Sequence, residues 1–278
     1  MRSTYTQSIL KLIAVKPFLS VYIITSIFFI LSTLFGIVNS YSSIPFWDMW
    51  DGYIGFYNKI ISHDLSAWYV QHNEHRLIFS RLLFWIDLSF FSGNNIFLLV
   101  IDLLIHLATL LLFIFLFLKD NHKNSTNLIF ITLIFSCGFS WIQWENFTWA
   151  FQSQFFGVYC FAFFSFYFLY EHKTKNNFLF FIGSLFFAAL SVISMANGII
   201  VFPILILLGI VLKIDYRKII ILIIFGLICA YIYFSNYTTL GPGKFSDEMI
   251  HRPLQMLLYI AKYNWLRRII YLYFNQTG

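Results

Sequence analysis

The stretch Ile96–Leu118 reads IFLLVIDLLIHLATLLLFIFLFL, and it decides the fold class. About 20 consecutive apolar residues cross a bilayer as a helix. Only Asp102 and His106 interrupt this run. They lie one helical turn apart and share a face. That face is expected to look into the protein, with the two residues as a satisfied polar pair between helices.

The rest of the chain has the same character. Of 278 residues, 60% are hydrophobic, 22% aromatic and only 11% charged. Soluble domains carry roughly 25% charged residues. Burying so much apolar surface requires lipid as part of the solvent, which excludes an ordinary soluble enzyme. The net charge of +6 reads as the lysine and arginine bias of a membrane protein. No basic cluster marks a nucleic-acid face. Cys137, Cys160 and Cys229 sit in apolar runs without metal-ligand spacing.

N-terminal to the opening run, Phe18–Val38 is apolar and long enough to cross. We expect a first span over 17–38, a retained signal anchor because no small-residue cleavage site follows. Residues 39–95 are polar and aromatic. Within them Leu77–Phe91 is apolar but carries Arg81 and Asp87, the pattern of an interfacial helix. The second span is expected over 96–118. Further spans are expected over 128–141, 152–170, 178–196, 199–212 and 219–235, followed by an outer tail over 236–278. That tail ends without a closing domain and reads as shortened or truncated. The expected fold class is all-α: a polytopic membrane helix bundle of about seven transmembrane helices, with a large first extracytoplasmic loop carrying interfacial helices.

Orientation follows from the basic loops. Lys11 and Lys16, Lys119 and Lys123, Lys173 and Lys175, and Lys213, Arg217 and Lys218 all fall on one side of a seven-span chain. That side is expected to be cytoplasmic. The 39–95 loop, the WENFTW turn, the Ala196-Asn197-Gly198 turn and the tail then face outward.

The outward side carries the chemistry-bearing residues. Pro45–Arg76 holds Asp48, Asp51, His63, Asp64, His72, Glu74, His75 and Arg76. Ionisable groups beside membrane helices are costly and point to function. Asp48 and Asp51 share a face if their segment is helical. Either carboxylate suits a general base that deprotonates an attacking hydroxyl, or a helix cap beside interfacial tryptophans. His72, Asn73, Glu74, His75 and Arg76 are expected either to bind substrate, with Arg76 offering a bidentate fork to phosphate, or to brace the loop as a polar cluster. Two histidines alone make no metal site, so no metal is expected. In WENFTWAFQSQF, Trp144, Glu145, Asn146, Gln152 and Gln154 interleave indoles with amides and a carboxylate. Sugar sites use that mixture, apolar faces for rings and amides for hydroxyls, and so does an interfacial belt. Asn197 is expected as a turn residue or a substrate contact. Lys244, His251, Arg252, Arg267 and Arg268 form a basic outer patch suited to a lipid phosphate or to interfacial anchoring.

This order of features resembles the GT-C class of membrane glycosyltransferases. The shared pattern is a cytoplasmic N-terminus, one span, a long outer loop with an acidic residue soon after a proline, and a bundle with short cytoplasmic loops. HNEHR and WENFTWAFQSQF are similar to strings in bacterial membrane proteins akin to O-antigen-modifying glucosyltransferases. The resemblance implies a catalytic acid in the first outer loop and inversion at the anomeric carbon. By position Asp48 matches that base and Asp51 comes second, although Met49 stands where members often carry Glu. Glu145 matches a second outer-loop acid.

The implied function is transfer of a sugar from a polyprenyl-phosphate donor to a cell-envelope glycan or lipid acceptor. The setting is the extracytoplasmic face of the bacterial inner (cytoplasmic) membrane. No cofactor is required, and Arg76, Lys244 and Arg252 are expected to hold the donor phosphate. The alternatives are a transporter or flippase of lipid-linked glycans, or a non-catalytic membrane subunit or fragment.

Overall fold

The computed structural model describes residues 2–120 and 125–238. Lys123, Lys244, His251, Arg252, Arg267, Arg268 and the expected tail from residue 239 lie outside the described residues. The described residues form ten α-helices with short 3-10 and π-helical turns, and no strand. The helices are α1 (Arg2–Ser40), α2 (Phe56–Ile61), α3 (Ile78–Phe90), α4 (Ile96–Asp120), α5 (Ser125–Gly138), α6 (Trp144–Thr148), α7 (Ser153–Lys175), α8 (Phe178–Ser194), α9 (Val201–Val211) and α10 (Tyr216–Phe234). Five stretches are long and apolar enough to cross a membrane: Leu19–Asn39, Ile96–Lys119, Asn127–Thr148, Ser153–Lys175 and Tyr216–Phe234. The chain is therefore a helical membrane protein. The shorter apolar helices Phe178–Ser194 and Ala196–Val211 occupy the fifth and sixth expected spans.

Several boundaries differ from the expected ones. The first helix is continuous from Arg2 and takes in Pro17 without a break. The expected third span is interrupted after Gly138. The freed Gly138 carbonyl is recaptured by His106 Nε2 at 3.0 Å and Gln143 Nε2 at 2.6 Å. His106 thus reaches across to α5 among the rings of Phe139, Phe147 and Phe156. The expected polar pair with Asp102 does not form. Asp102 is buried, and neither oxygen has a hydrogen-bond partner among the described residues.

At one end of the bundle the basic loops meet. Glu171, buried near the end of α7, is bonded by Lys119 from α4 and by Lys175 at 2.8 Å. That capture of Lys175 carries α7 past residue 170. Asn176 then leaves the helix at φ 48°, and Asn177 caps α8 by accepting from the Leu179 amide at 2.9 Å. Lys218 donates to His172 Nε2 at 2.8 Å, whose Nδ1 donates to the Asn177 carbonyl, also at 2.8 Å. Lys173 reaches the Lys213 carbonyl at 2.9 Å.

Between the ends, α7 and α8 pack along small and hydroxyl residues, as helices do where lipid gives no hydrophobic drive for association. Ser191 donates to the Val158 carbonyl at 2.9 Å, and Ala188 and Ser184 are buried in the same seam. The α8–α9 turn folds tightly because Gly198 lies against Ser191. A Cβ on Gly198 would stand 2.1 Å from the Ser191 oxygen.

The opposite end carries the α1–α4 segment, which folds into the bundle core. Met49, Tyr53, Phe56, Leu77 and Phe84 are buried with Leu98, Phe147 and Phe151. Arg81 and Asp87 of α3 are buried as well, rather than turned to solvent. Arg81 Nη1 donates to the Val70 carbonyl at 2.5 Å and the Trp68 carbonyl at 3.1 Å. Burial lowers Arg81 to about 10. Asp87 accepts from the Tyr53 hydroxyl at 2.5 Å. Burial raises Asp87 against the lowering effect of that bond, and raises Tyr53 with the help of the Asp87 carboxylate.

Candidate functional site

The PFWDMWDG string folds as a turn opening into a π-helical turn, Trp50–Gly55. Such turns are rare and frequent at functional sites. Trp47 takes φ 52°, the Asp48 carbonyl accepts from Gly52 at 2.7 Å, and Met49 is buried as the anchor. The Asp48 side chain is left 38% exposed.

The QHNEHR string folds as a tight turn against it. His72 and His75 exchange backbone hydrogen bonds at 2.8 and 2.9 Å, and Asn73 takes φ 48°. The turn directs two side chains at one carboxylate oxygen. Asn73 Nδ2 donates to Asp48 Oδ2 at 3.4 Å, and His72 Nε2 lies 3.9 Å from the same oxygen. That second gap exceeds a direct hydrogen bond and suits a bridging hydroxyl or water. Burial lowers the His72 pKa, opposed by the Asp48 and Asp51 carboxylates, so the ring is neutral at pH 7. Burial also lowers His75. Gly52 permits the approach: a Cβ there would meet the Phe151 ring at 2.6 Å and His72 at 3.0 Å.

Beside this cluster a groove of about 580 Å³ opens between the PFWDMW and WENFTW strings. Phe46, Trp47 and Met49 line it from the first, and Trp144, Glu145 and Trp149 from the second. Trp47 and Trp149 stack at 6.0 Å between centroids, with Phe46 edge-on to Trp149 at 6.1 Å. Trp149 stacks on Phe151 at 5.5 Å, and Phe151 meets the His72 ring at 5.5 Å. The groove and the Asp48 cluster are thus two faces of one aromatic stack.

The remaining expected site residues divide. Asp51 and Glu74 are exposed at the cluster's edge, and His75 is half-buried beneath it. Asn146 lies half-buried on α6 and does not line the groove. Four expectations are corrected. Arg76 is 3% exposed, and its guanidinium is committed to backbone carbonyls: Tyr233 at 2.7 Å, Tyr69 at 2.5 Å and Ser235 at 2.5 Å. It clamps the QHNEHR turn to the end of α10 and holds no donor phosphate. Gln152 and Gln154 are buried in the bundle, where Ser80 donates to Gln154 Oε1 at 3.4 Å. They start α7 rather than face a ligand. Asn197 is exposed in the α8–α9 turn and lines neither groove nor cluster. Among the described residues no three His, Cys, Asp or Glu side chains gather as metal ligands.

Sequence reasoning missed Asn95. It lines the groove at φ 68°, 3% exposed, and its Nδ2 donates to the Ser42 carbonyl at 3.1 Å. Its only signal was the turn string Ser92-Gly93-Asn94-Asn95. Comparison of the chain with protein-family models, with characterised proteins and with solved structures found no match.

Proposed function

We propose that the chain is a membrane glycosyltransferase that moves a sugar from a polyprenyl-phosphate donor to an envelope glycan or lipid acceptor. In this reading it crosses the bacterial inner membrane seven times, with α8 and α9 as short spans. The lysine-rich end is cytoplasmic by the positive-inside bias, and the Asp48 end is extracytoplasmic. The observation that carries the reading is a half-exposed carboxylate, Asp48, braced by Asn73 and His72 beside an aromatic-walled groove.

Asp48 takes the proton of an acceptor hydroxyl as that oxygen attacks the anomeric carbon. The bond from that carbon to the phosphate oxygen breaks, polyprenyl phosphate leaves, and the configuration inverts. Asn73 holds the carboxylate in place, and neutral His72 lies within reach of the same hydroxyl. Asp48 is favoured over Asp51 because the amide and imidazole converge on Asp48. A general base contributes about 10²–10⁴-fold. The groove takes sugar, and Arg76 takes no part in phosphate binding.

The test is transfer from a panel of polyprenyl-phosphate sugars by membranes holding the wild-type chain, with product stereochemistry read by NMR. Transfer with inversion is expected. Retention of configuration, or no transfer from any donor, contradicts the reading. One observation favours a transporter or flippase instead: Asp102, an unpartnered carboxylate inside a spanning helix. Loss of lipid-linked glycan flipping in Asp102→Asn, with no transfer by the wild type, would support that alternative.

A further inference from the structure

The lysine-rich end carries a second groove, of about 260 Å³, that the chemistry at Asp48 does not use. Leu112, Leu116 and Lys119 of α4 line it from one side, Phe166 and Tyr170 of α7 from the other, and Leu208 of α9 adds to the lining. Leu112, Leu116 and Lys119 follow the spacing i, i+4, i+7, which is one stripe of a helix. Phe166 and Tyr170 open the same spacing on α7, and the next residue of that stripe is Lys173, which is exposed. Both stripes therefore turn from apolar to lysine at the same end, where Lys119 and Glu171 join the two helices. At the opposite end of the groove Phe113 meets Phe163 edge-on, with ring centroids 4.6 Å apart.

Charge and depth narrow the occupant. Among the described residues that line this groove, Lys119 is the one charged side chain, and the rest are Leu, Phe and Tyr. Its ammonium stands 4.9 Å from the centre of the Tyr170 ring. Glu171, the carboxylate bonded to it, has a side chain only 1% exposed and is shared with Lys175. The two lysines thus carry one positive charge more than their acid, and the acid is sealed behind them. Lys173 adds another cation, held at the α9–α10 turn by the Lys213 carbonyl at 2.9 Å. Asp120 and Asp215, also at this end, are outweighed by Lys213, Arg217 and Lys218. From Leu112 to Lys119 the α4 wall runs about 10 Å at roughly 1.5 Å per residue. Half of a bilayer's hydrocarbon is about 15 Å deep, so the wall follows most of one leaflet. An apolar groove of that depth with cations at its mouth matches a lipid, its acyl chain along the rings and its phosphate on the lysines.

We infer that this groove binds an anionic glycerophospholipid of the leaflet on the lysine-rich side. One acyl chain lies between the α4 and α7 stripes, and the headgroup phosphate accepts from Lys119 and Lys173. A zwitterionic lipid fits the same groove but gains less, because its headgroup brings a cation of its own to the lysines. The inference needs only a chain embedded in a bilayer and does not depend on the glycosyltransferase reading.

The experiment is lipid binding to the full chain, stripped of native lipid in detergent and read by native mass spectrometry at low salt. The probes are phosphatidylglycerol and phosphatidylcholine with identical chains, soluble glycerophosphoglycerol, and a short-chain polyprenyl phosphate. Phosphatidylglycerol is expected to bind roughly tenfold more tightly than phosphatidylcholine. Lys173→Gln, at an exposed site, should weaken phosphatidylglycerol about fivefold and leave phosphatidylcholine unchanged. Lys119→Gln should do the same, and Lys119→Arg should keep the binding. Leu116→Trp, which fills the groove, should weaken both lipids. Lys59→Gln, which removes an exposed lysine from the Asp48 end, should change nothing. Equal binding of the two phospholipids, no phospholipid bound, or phosphatidylglycerol binding untouched by the Lys119, Lys173 and Leu116 variants would each overturn the inference. So would an equal loss in Lys59→Gln. Glycerophosphoglycerol bound as tightly as the whole lipid would leave the groove no role, and polyprenyl phosphate bound more tightly than phosphatidylglycerol would make it a donor site. Either result overturns the inference.

Discussion

The two ends of the bundle treat charge differently. At the lysine-rich end several charges meet partners: Glu171 with Lys119 and Lys175, Lys218 with His172, and Lys173 with the Lys213 carbonyl. At the Asp48 end, several buried polar atoms have no partner among the described residues. Asp48 is half-exposed with one long hydrogen bond, and the buried His72 Nε2, Asn95 Oδ1 and Trp149 Nε1 have none among the described residues. Membrane proteins keep unsatisfied polar groups where function needs them, because each costs stability. The paired end holds helices together, and the Asp48 end carries the half-exposed carboxylate of the proposed chemistry.

The contrast breaks most readily at Arg76, whose clamp joins the QHNEHR turn to α10. Arg76→Met should cost about 3 kcal/mol, because several buried carbonyls lose their donor. Thermal unfolding in detergent should register the loss, and transfer should fall with it as His72 and Asn73 drift from Asp48. Stability unchanged in this variant would show that the turn needs no clamp. Glu171→Gln sharpens the comparison from the other end. It should cost about 2 kcal/mol, because it removes the charge from a buried carboxylate bonded by two lysines, and leave kcat intact. A large fall in kcat would mean that the lysine-rich end takes part in the chemistry.

The smallest effect is in pH. Burial depresses His72 and His75 below the ordinary histidine value, so the unfolded chain binds protons that the folded chain refuses. Their contribution to stability is complete above about pH 6.5 and is lost as the pH falls toward the folded values. Unfolding temperatures between pH 7.5 and 5.5 should therefore decline, and His72→Asn should flatten the decline. A slope of opposite sign would place these imidazoles in a charge-stabilising environment.

Much of this was legible in the sequence, because apolar length and turn residues act locally. The run Ile96–Leu118 declared a spanning helix, and α4 forms over it. The strings around Asp48, His72 and Trp144 announced polar chemistry among aromatics, and they do converge. What stayed hidden depends on distant neighbours. Arg76 reads as an anion holder until α10 brings the Tyr233 carbonyl to it from 157 residues away. Gln152 and Gln154 read as ligand amides, but the first turn of α7 carries them inward. Asp102 and His106 share a helix face, yet the helix break after Gly138 draws the imidazole away. Asn95 carried no signal beyond a turn string, because nothing local reveals that its side-chain amide oxygen is buried without a partner among the described residues.

The central claim is that Asp48 does the chemistry. Sugar transfer should be measured in membranes carrying wild type, Asp48→Asn and Asp51→Asn at matched abundance. The expected result is a loss of about 10²-fold or more in Asp48→Asn, with Asp51→Asn within a few-fold of wild type. Full activity in Asp48→Asn would contradict the account and move the base elsewhere.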